Sequence, residues 1–395
     1  MSKVFSLHGK GLKLNSRADI EPYLKDVPIT IEEIHLGGNT IGVEAAEALA
    51  EFLAKTTHLK IADFADIFTG RLISEIPQAL SALCDALIPK TTLVEIDLSD
   101  NAFGGRSVEP MVPFLTQNRA FQVLKLNNNG LGPAGGATVA QALLRSAELS
   151  AEKGEPSHLR VVICGRNRLE DGAAPAWAKA LAAHGGLTEV RMPQNGIRMA
   201  GAAALAHGLA GCPGLTHLDL QDNTFGEEGS VAMASALRVW PALRTLNLSD
   251  CVLAEEGAIS PVLEALTQGS NPRLEHLQLQ NNNLDAQSFA LLAGALDVHL
   301  PQLTLMEMQW NEVEEDDEGI AALLRLLKKR GGKLVLDDDE EEEEEEEEKE
   351  EVEEAEKAEA EEKAKEAAPA KAVEPAKKDA ADDLADLFSK VEIKS

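Results

Sequence analysis

Aromatic side chains are scarce. The 395 residues include ten Phe, three Trp and one Tyr, so an apolar core has to rest mainly on Leu and Ala. Positive charge is also short, with 37 Lys and Arg against 67 Asp and Glu and a formal charge of −30. Phosphate backbones would be repelled by such a chain, which argues against nucleic acid as a partner. Cysteine is limited to Cys84, Cys164, Cys212 and Cys251, too far apart for a zinc or redox pair. They read as reduced core thiols of a cytosolic or nuclear protein. No run approaches the roughly 20 apolar residues of a spanning helix. Lys3, His8 and Lys10 interrupt the start of the chain, so no signal peptide is expected. Catalytic signatures are missing as well: there is no Gly-x-Ser-x-Gly, no His-Glu-x-x-His and no Gly-rich phosphate loop ending in Lys-Ser/Thr. Nine scattered histidines do not supply a metal or catalytic cluster. These absences favour an interaction scaffold over an enzyme with its own active centre.

What is present is a repeat. LTHLDLQDNTF from Leu215, LRTLNLSDCVL from Leu243 and LEHLQLQNNNL from Leu274 share the frame Leu-x-x-Leu-x-Leu-x-x-Asn/Cys-x-Leu. The same frame fits from Ile31, Leu93, Phe121, Leu159, Leu187 and Leu303. Its Asn/Cys position falls at Asn39, Asn101, Asn129, Asn167, Asn195, Asn223, Cys251, Asn282 and Asn311, with Ile67 and Lys10 marking degenerate copies. The steps between marks are 29, 28, 34, 28, 38, 28, 28, 28, 31 and 29 residues. Leu-x-Leu alternation predicts a short strand with its leucines inward. The Asn amide can donate and accept, so it can satisfy the backbone where the chain leaves the strand. Segments such as GVEAAEALAEFLAK predict a helix, and small residues let that helix lie close to its neighbours. The expected fold is α/β: a leucine-rich repeat solenoid of about 11 repeats over residues 1–336, a ribonuclease-inhibitor-like horseshoe with a parallel sheet on its inner face. In the 38-residue step, RSAELSAEKGEPSHL predicts a lengthened helix followed by a polar loop.

From Asp337 the pattern stops. Residues 337–395 hold 27 acidic and 9 basic side chains, including nine consecutive glutamates from Glu340 to Glu348. A tail of this composition is expected to be mostly disordered. Leu384, Leu387, Phe388 and Val391 would share one face of a short helix over 382–392; an unstructured end is the alternative.

Two places depart from the repeat. ADFADIFTGRLISEIPQAL, from Ala62, puts Ile67 in the ladder position and Arg71 on the outgoing loop, where it could be presented to a partner or could pair with Asp66 or Asp100. LKLNNNGLGP, from Leu124, puts Asn128 at the rim beside ladder residue Asn129. Equivalent rim positions hold Asp66, Asp100, Arg166, Gln194, Asp222 and Asp250, a mostly acidic row suited to a basic partner.

The segments DIFTGRLISEIP, LSDNAFG, NNNGLGP, ICGRNRLEDG, QNGIR and LDLQDNTF, followed by an acidic tail, resemble the fungal Ran GTPase-activating proteins across essentially the whole repeat region. That resemblance implies a protein that binds the small GTPase Ran in its GTP form, with a Ran-binding protein as a further candidate partner, and no membrane or nucleic acid. It would accelerate GTP hydrolysis in the cytoplasm in support of nuclear transport. It would act in trans rather than as an enzyme with its own substrate, with no cofactor and no metal of its own, since GTP and Mg are held by the GTPase. Residue by residue, the family's glutamine-orienting Asn matches Asn128. Arg71 becomes a supporting residue and not an arginine finger, while Asp66, Arg168 and Asp222 match partner-contacting positions. Ile73 departs from the family, which usually has a basic residue there. The extra C-terminal domain of animal members has no counterpart, which implies a freely cytosolic protein. Two rivals remain on composition alone. A non-catalytic inhibitor-like repeat protein would be expected to be richer in cysteine, and an acidic histone-chaperone-like protein to have a shorter repeat.

Overall fold

The computed structural model describes residues 3–337 apart from 256 and 315. The expectations for the acidic tail and for a helix over 382–392 lie outside the described residues. Among the described residues fourteen short strands alternate with helices. They are β1 (Val4–Ser6), β2 (Lys13–Leu14), β3 (Glu33–His35), β4 (Thr40–Ile41), β5 (Ile61–Asp63), β6 (Glu95–Asp97), β7 (Val123–Lys125), β8 (Val161–Ile163), β9 (Glu189–Arg191), β10 (His217–Asp219), β11 (Thr245–Asn247), β12 (His276–Gln278), β13 (Leu305–Glu307) and β14 (Lys333–Val335). β2 and β4 pair with each other, and the other twelve form one parallel sheet in chain order. Each repeat therefore adds one strand beside the last, with Ile96, Leu124, Val162, Val190 and Leu218 in register and buried. The sheet has one strand more than the eleven ladder marks because β14 closes the stack without an asparagine turn after it.

The helices cover the inward face of the sheet. They are α1 (Arg17–Leu24), α2 (Val43–Lys55), α3 (Ile76–Leu87), α4 (Val112–Gln117), α5 (Gly132–Glu152), α6 (Glu170–His184), α7 (Met199–Leu209), α8 (Gly226–Leu237), α9 (Pro261–Thr267), α10 (Ala286–His299) and α11 (Glu318–Lys329). One continuous apolar core runs from Leu7 to Leu334, since no single unit has a second face against which to bury its leucines. Small residues permit the helix spacing. A Cβ on Gly208 would collide with the carbonyl oxygen of Ala178, so α7 and α6 touch backbone to backbone. The 38-residue step is absorbed by α5, which runs to Glu152 before a polar loop. The 34-residue step is absorbed by the segment 68–75 ahead of α3.

The ladder asparagines do the work their chemistry suggests. Asn129 donates to the carbonyls of Leu98 (2.9 Å) and Leu126 (3.0 Å) and accepts from Asn101 N–H (2.9 Å). Asn167 likewise donates to Leu126 and accepts from Asn129 N–H. Each carbonyl at these turns is shared by two amides from successive repeats, so the turns are cross-linked along the stack. The four cysteines are buried free thiols. Burial raises all four above the usual thiol range, Cys164 to about 12, which leaves them unreactive.

Candidate functional site

The strand register carries through the turns that follow. Asp63, Asp97, Lys125, Ile163, Arg191 and Asp219 are aligned partners across β5 to β10. Three residues further on, Asp66, Asp100, Asn128, Arg166, Gln194 and Asp222 form the next aligned row, each immediately before its ladder residue. All six have left-handed backbone, with φ between 47° and 60°. Their N–H groups donate across to the next repeat: Asp100 to Asn127, Asn128 to Gly165, Arg166 to Pro193 and Asp222 to Ser249, at 2.8–3.0 Å. Asp and Asn tolerate this conformation best, Arg and Gln less well. The row is thus a rigid edge on which neighbouring side chains stand roughly 5 Å apart.

Asn128 is exposed, and its Nδ2 donates to Asp100 Oδ1 at 2.9 Å. That bond sets which way the amide faces and leaves its Oδ1 without a partner among the described residues. Asn129, the next residue, is fully buried in the ladder. Asp66 accepts from Thr69 Oγ1 at 2.5 Å. Asp222, Arg166 and Arg168 are exposed and make no side-chain hydrogen bond or ion pair among the described residues. Arg168 also has positive φ, 53°, one residue beyond ladder residue Asn167.

Arg71 does not pair with Asp66 or Asp100, the alternative the sequence left open. Its Nε donates to Thr40 Oγ1 at 2.8 Å, and one terminal nitrogen donates to the carbonyls of Thr40 (3.0 Å) and Leu14 (3.3 Å). The half-buried guanidinium is therefore committed to the β2–β4 ribbon, and it anchors the loop 68–75 to the repeats before it. Beyond it, Leu72 and Ile73 are 67% and 60% exposed. The departure at Ile73 thus places an apolar side chain in solvent beside the same edge.

Asp66, Asn128 and Asp222 share the aligned row, Arg168 follows it by two residues and Arg71 is held on the β2–β4 ribbon; two features of this arrangement escaped the sequence reading. One is that Arg166 and Arg168, beside Asn128, make no hydrogen bond or ion pair through their side chains among the described residues. The other is the shared left-handed backbone, hinted at only by the recurrence of Asp, Asn and Gly before the ladder position. Beside this edge, the outer face of the sheet holds further charge. Lys125 bonds Glu95 at 2.6 Å and lies 3.8 Å from Asp97, whose carboxyl burial raises above its ordinary value. Among the described residues no His, Cys, Asp and Glu group could hold a metal ion. The edge offers a positioned amide and oriented charges, a chemistry of recognition and alignment.

A leucine-rich repeat family model matches residues 27–50, 90–112, 211–234 and 241–260. The chain is 46% identical over 197 residues to Ran GTPase-activating protein 1 of Xenopus laevis, an alignment covering 49% of this chain and 34% of that protein. It is 40% identical over 206 residues to Ran GTPase-activating protein 1 of Saccharomyces cerevisiae, covering 50% of each. The chain thus spans half or less of the length of these curated relatives. Among solved structures it resembles the yeast Rad7 and Elc1 complex (TM-score 0.48, 15% identity, 77% of this chain and 71% of that one). It also resembles an internalin of Listeria monocytogenes (TM-score 0.43, 18% identity, 85% and 86%).

Proposed function

We propose that this chain is a GTPase-activating protein for Ran in its GTP form, working at the edge built around Asn128. The observation that carries the reading is the state of that side chain: exposed, on rigid left-handed backbone, and turned by Asp100 so that its carbonyl oxygen is free. Similarity to curated proteins named for Ran GTPase activation supplies the partner. A small GTPase is slow because its own glutamine holds the attacking water loosely. In this proposal Asn128 Oδ1 accepts an N–H of that glutamine's amide and restricts it to the orientation in which it holds the water. The acceleration then comes from alignment, not from a group that enters the phosphate site.

Arg71 supports this division of labour. Its donors are occupied by Thr40 and Leu14, so delivering it as a finger would strip three hydrogen bonds from the loop. Its role is to hold the loop 68–75 in place. Arg166 and Arg168 would receive acidic groups of the GTPase, and Asp66 and Asp222 basic ones. The protein would act in the cytoplasm, with GTP and Mg held by the GTPase and no cofactor of its own. Single-turnover hydrolysis on Ran-GTP tests the reading. Wild type should accelerate hydrolysis, and Asn128→Ala should lose most of that acceleration. A wild-type chain without effect on the rate would remove the proposal.

A further inference from the structure

The outer face of the sheet carries a cavity away from the edge around Asn128. It has a volume of about 130 Å³ and is lined by Arg191, His217, Leu218, Asp219, Thr245, Asn247 and Gln278. All but Leu218 come from the outward positions of four consecutive strands, β9 to β12, so their side chains converge above one stretch of sheet.

Its polar groups are arranged to accept. Asp219 Oδ1 takes the N–H of Gln221 at 3.0 Å, and its Oδ2 has no donor among the described residues. Gln278 turns its Nε2 to Glu307, at 3.0 and 2.9 Å from the two carboxylate oxygens. This fixes the amide and leaves Gln278 Oε1 without a donor. Asn247 is oriented by the same logic, donating to Gln221 Oε1 at 3.3 Å and accepting from Ser249 N–H at 3.0 Å. The one cation in the lining, Arg191, is bonded to Glu189 at 2.7 Å and makes no ion pair with Asp219. Burial raises the Asp219 carboxyl above its ordinary value, and the field of Arg191 opposes this only in part. A half-buried carboxylate without an ion-pair partner, beside an amide oxygen without a donor, leaves two acceptors open in a lining whose one guanidinium is bonded to Glu189.

We propose that this cavity receives a single arginine side chain of a partner protein, with Asp219 and Gln278 as acceptors for its guanidinium and Thr245 at the margin. The two acceptors stand on β10 and β12, two strands apart. A planar fork with donors on both edges spans them better than an ammonium, which presents a point charge. A cavity of about 130 Å³ has room for a planar guanidinium head, with the rest of the side chain lying outside it. The rest of the partner would lie across the strands, and the excess of acid in residues 3–337 favours a basic chain. This inference is independent of the GTPase reading, because none of the lining residues belongs to the Asn128 edge.

The test uses the full-length protein and three small probes: the N-acetyl amides of arginine, lysine and citrulline, the last a neutral isostere of arginine. Side-chain amide NMR signals of Gln278 and Asn247 are followed during titration. The arginine amide should give saturable shifts at these amides with affinity in the roughly millimolar range, and the citrulline amide should give none. Asp219→Asn, checked for native spectral dispersion, should weaken arginine binding about tenfold or more. Gln278→Ala keeps Asp219 and should weaken it several-fold, so the test stands even where the first variant fails to fold. Absent shifts, equal shifts with citrulline, or unchanged affinity in both variants would overturn the proposal. Lysine binding as tightly as arginine would overturn its guanidinium assignment.

Discussion

Asn128 and Asn129 are adjacent and chemically identical, yet they should answer substitution in opposite ways. In Asn129→Ala the buried Asn101 N–H loses its acceptor, while the carbonyls of Leu98 and Leu126 each keep a second donor, from Asn101 and Asn167. One orphaned donor and two weakened acceptors amount to about 2–4 kcal/mol. With a urea m-value of about 3 kcal/mol/M, the unfolding midpoint should fall by about 1 M. Asn128→Gly keeps a residue suited to φ 53° and removes one solvent-exposed hydrogen bond. Its stability should stay within about 0.5 kcal/mol of wild type, while activation of Ran-GTP hydrolysis collapses. Urea denaturation of the two variants beside wild type decides the matter. An Asn129→Ala protein as stable as wild type would refute the ladder accounting, whatever its activity.

Three further outcomes are expected. His184 is 7% exposed, and burial holds its imidazole down to about 4 from an ordinary value of 6.5. The unfolded chain therefore takes up this proton first as pH falls, and the stability from the neutral imidazole is lost between pH 6.5 and 4. Between pH 7 and 5 this linkage amounts to about 2 kcal/mol; urea midpoints of wild type and His184→Gln across that range should converge toward low pH, and parallel curves would contradict it. Gly208→Ala should destabilise by about 1–3 kcal/mol despite the better helix propensity of alanine, because its Cβ would meet the backbone of Ala178; a raised thermal midpoint would show that α6 and α7 can part without cost. Truncation after Leu336 should leave cooperative unfolding and the midpoint unchanged, since the buried apolar cluster ends at Leu334; a broadened transition by circular dichroism would contradict that.

The repeat was legible because it is written in the most redundant code a sequence has. Leu-x-Leu and the ladder Asn recur at fixed spacing, and each copy confirms the others. The edge was legible for the same reason: counting one residue back from each ladder Asn locates Asn128, Asp100 and Asp222 without any structure. Partnerships between repeats were not. Whether Arg71 reaches an acid of its own turn or the Thr40 and Leu14 carbonyls of earlier repeats depends on how the loop 68–75 folds back, and no periodicity encodes that. The cavity under Asp219 was equally hidden. It arises from four strands whose outward residues are free to vary, and its open acceptors are defined by where Gln278 and Asn247 send their hydrogen bonds. Repetition reveals the scaffold, whereas recognition resides in the positions that do not repeat.

The central claim is that Asn128 acts on the aligned, reacting state of the GTPase and contributes little to ground-state binding. It is tested most directly by comparing affinities for Ran bound to a non-hydrolysable GTP analogue and for Ran-GDP with aluminium fluoride, which mimics the transferring phosphoryl group. Wild type should bind the second complex more tightly than the first. Asn128→Ala should bind the analogue complex within a few-fold of wild type and lose most of that extra affinity, on the order of 100-fold if a misplaced group costs what it does elsewhere. Retention of the full preference by Asn128→Ala, together with its loss in a folded Arg71→Ala protein, would contradict the assignment.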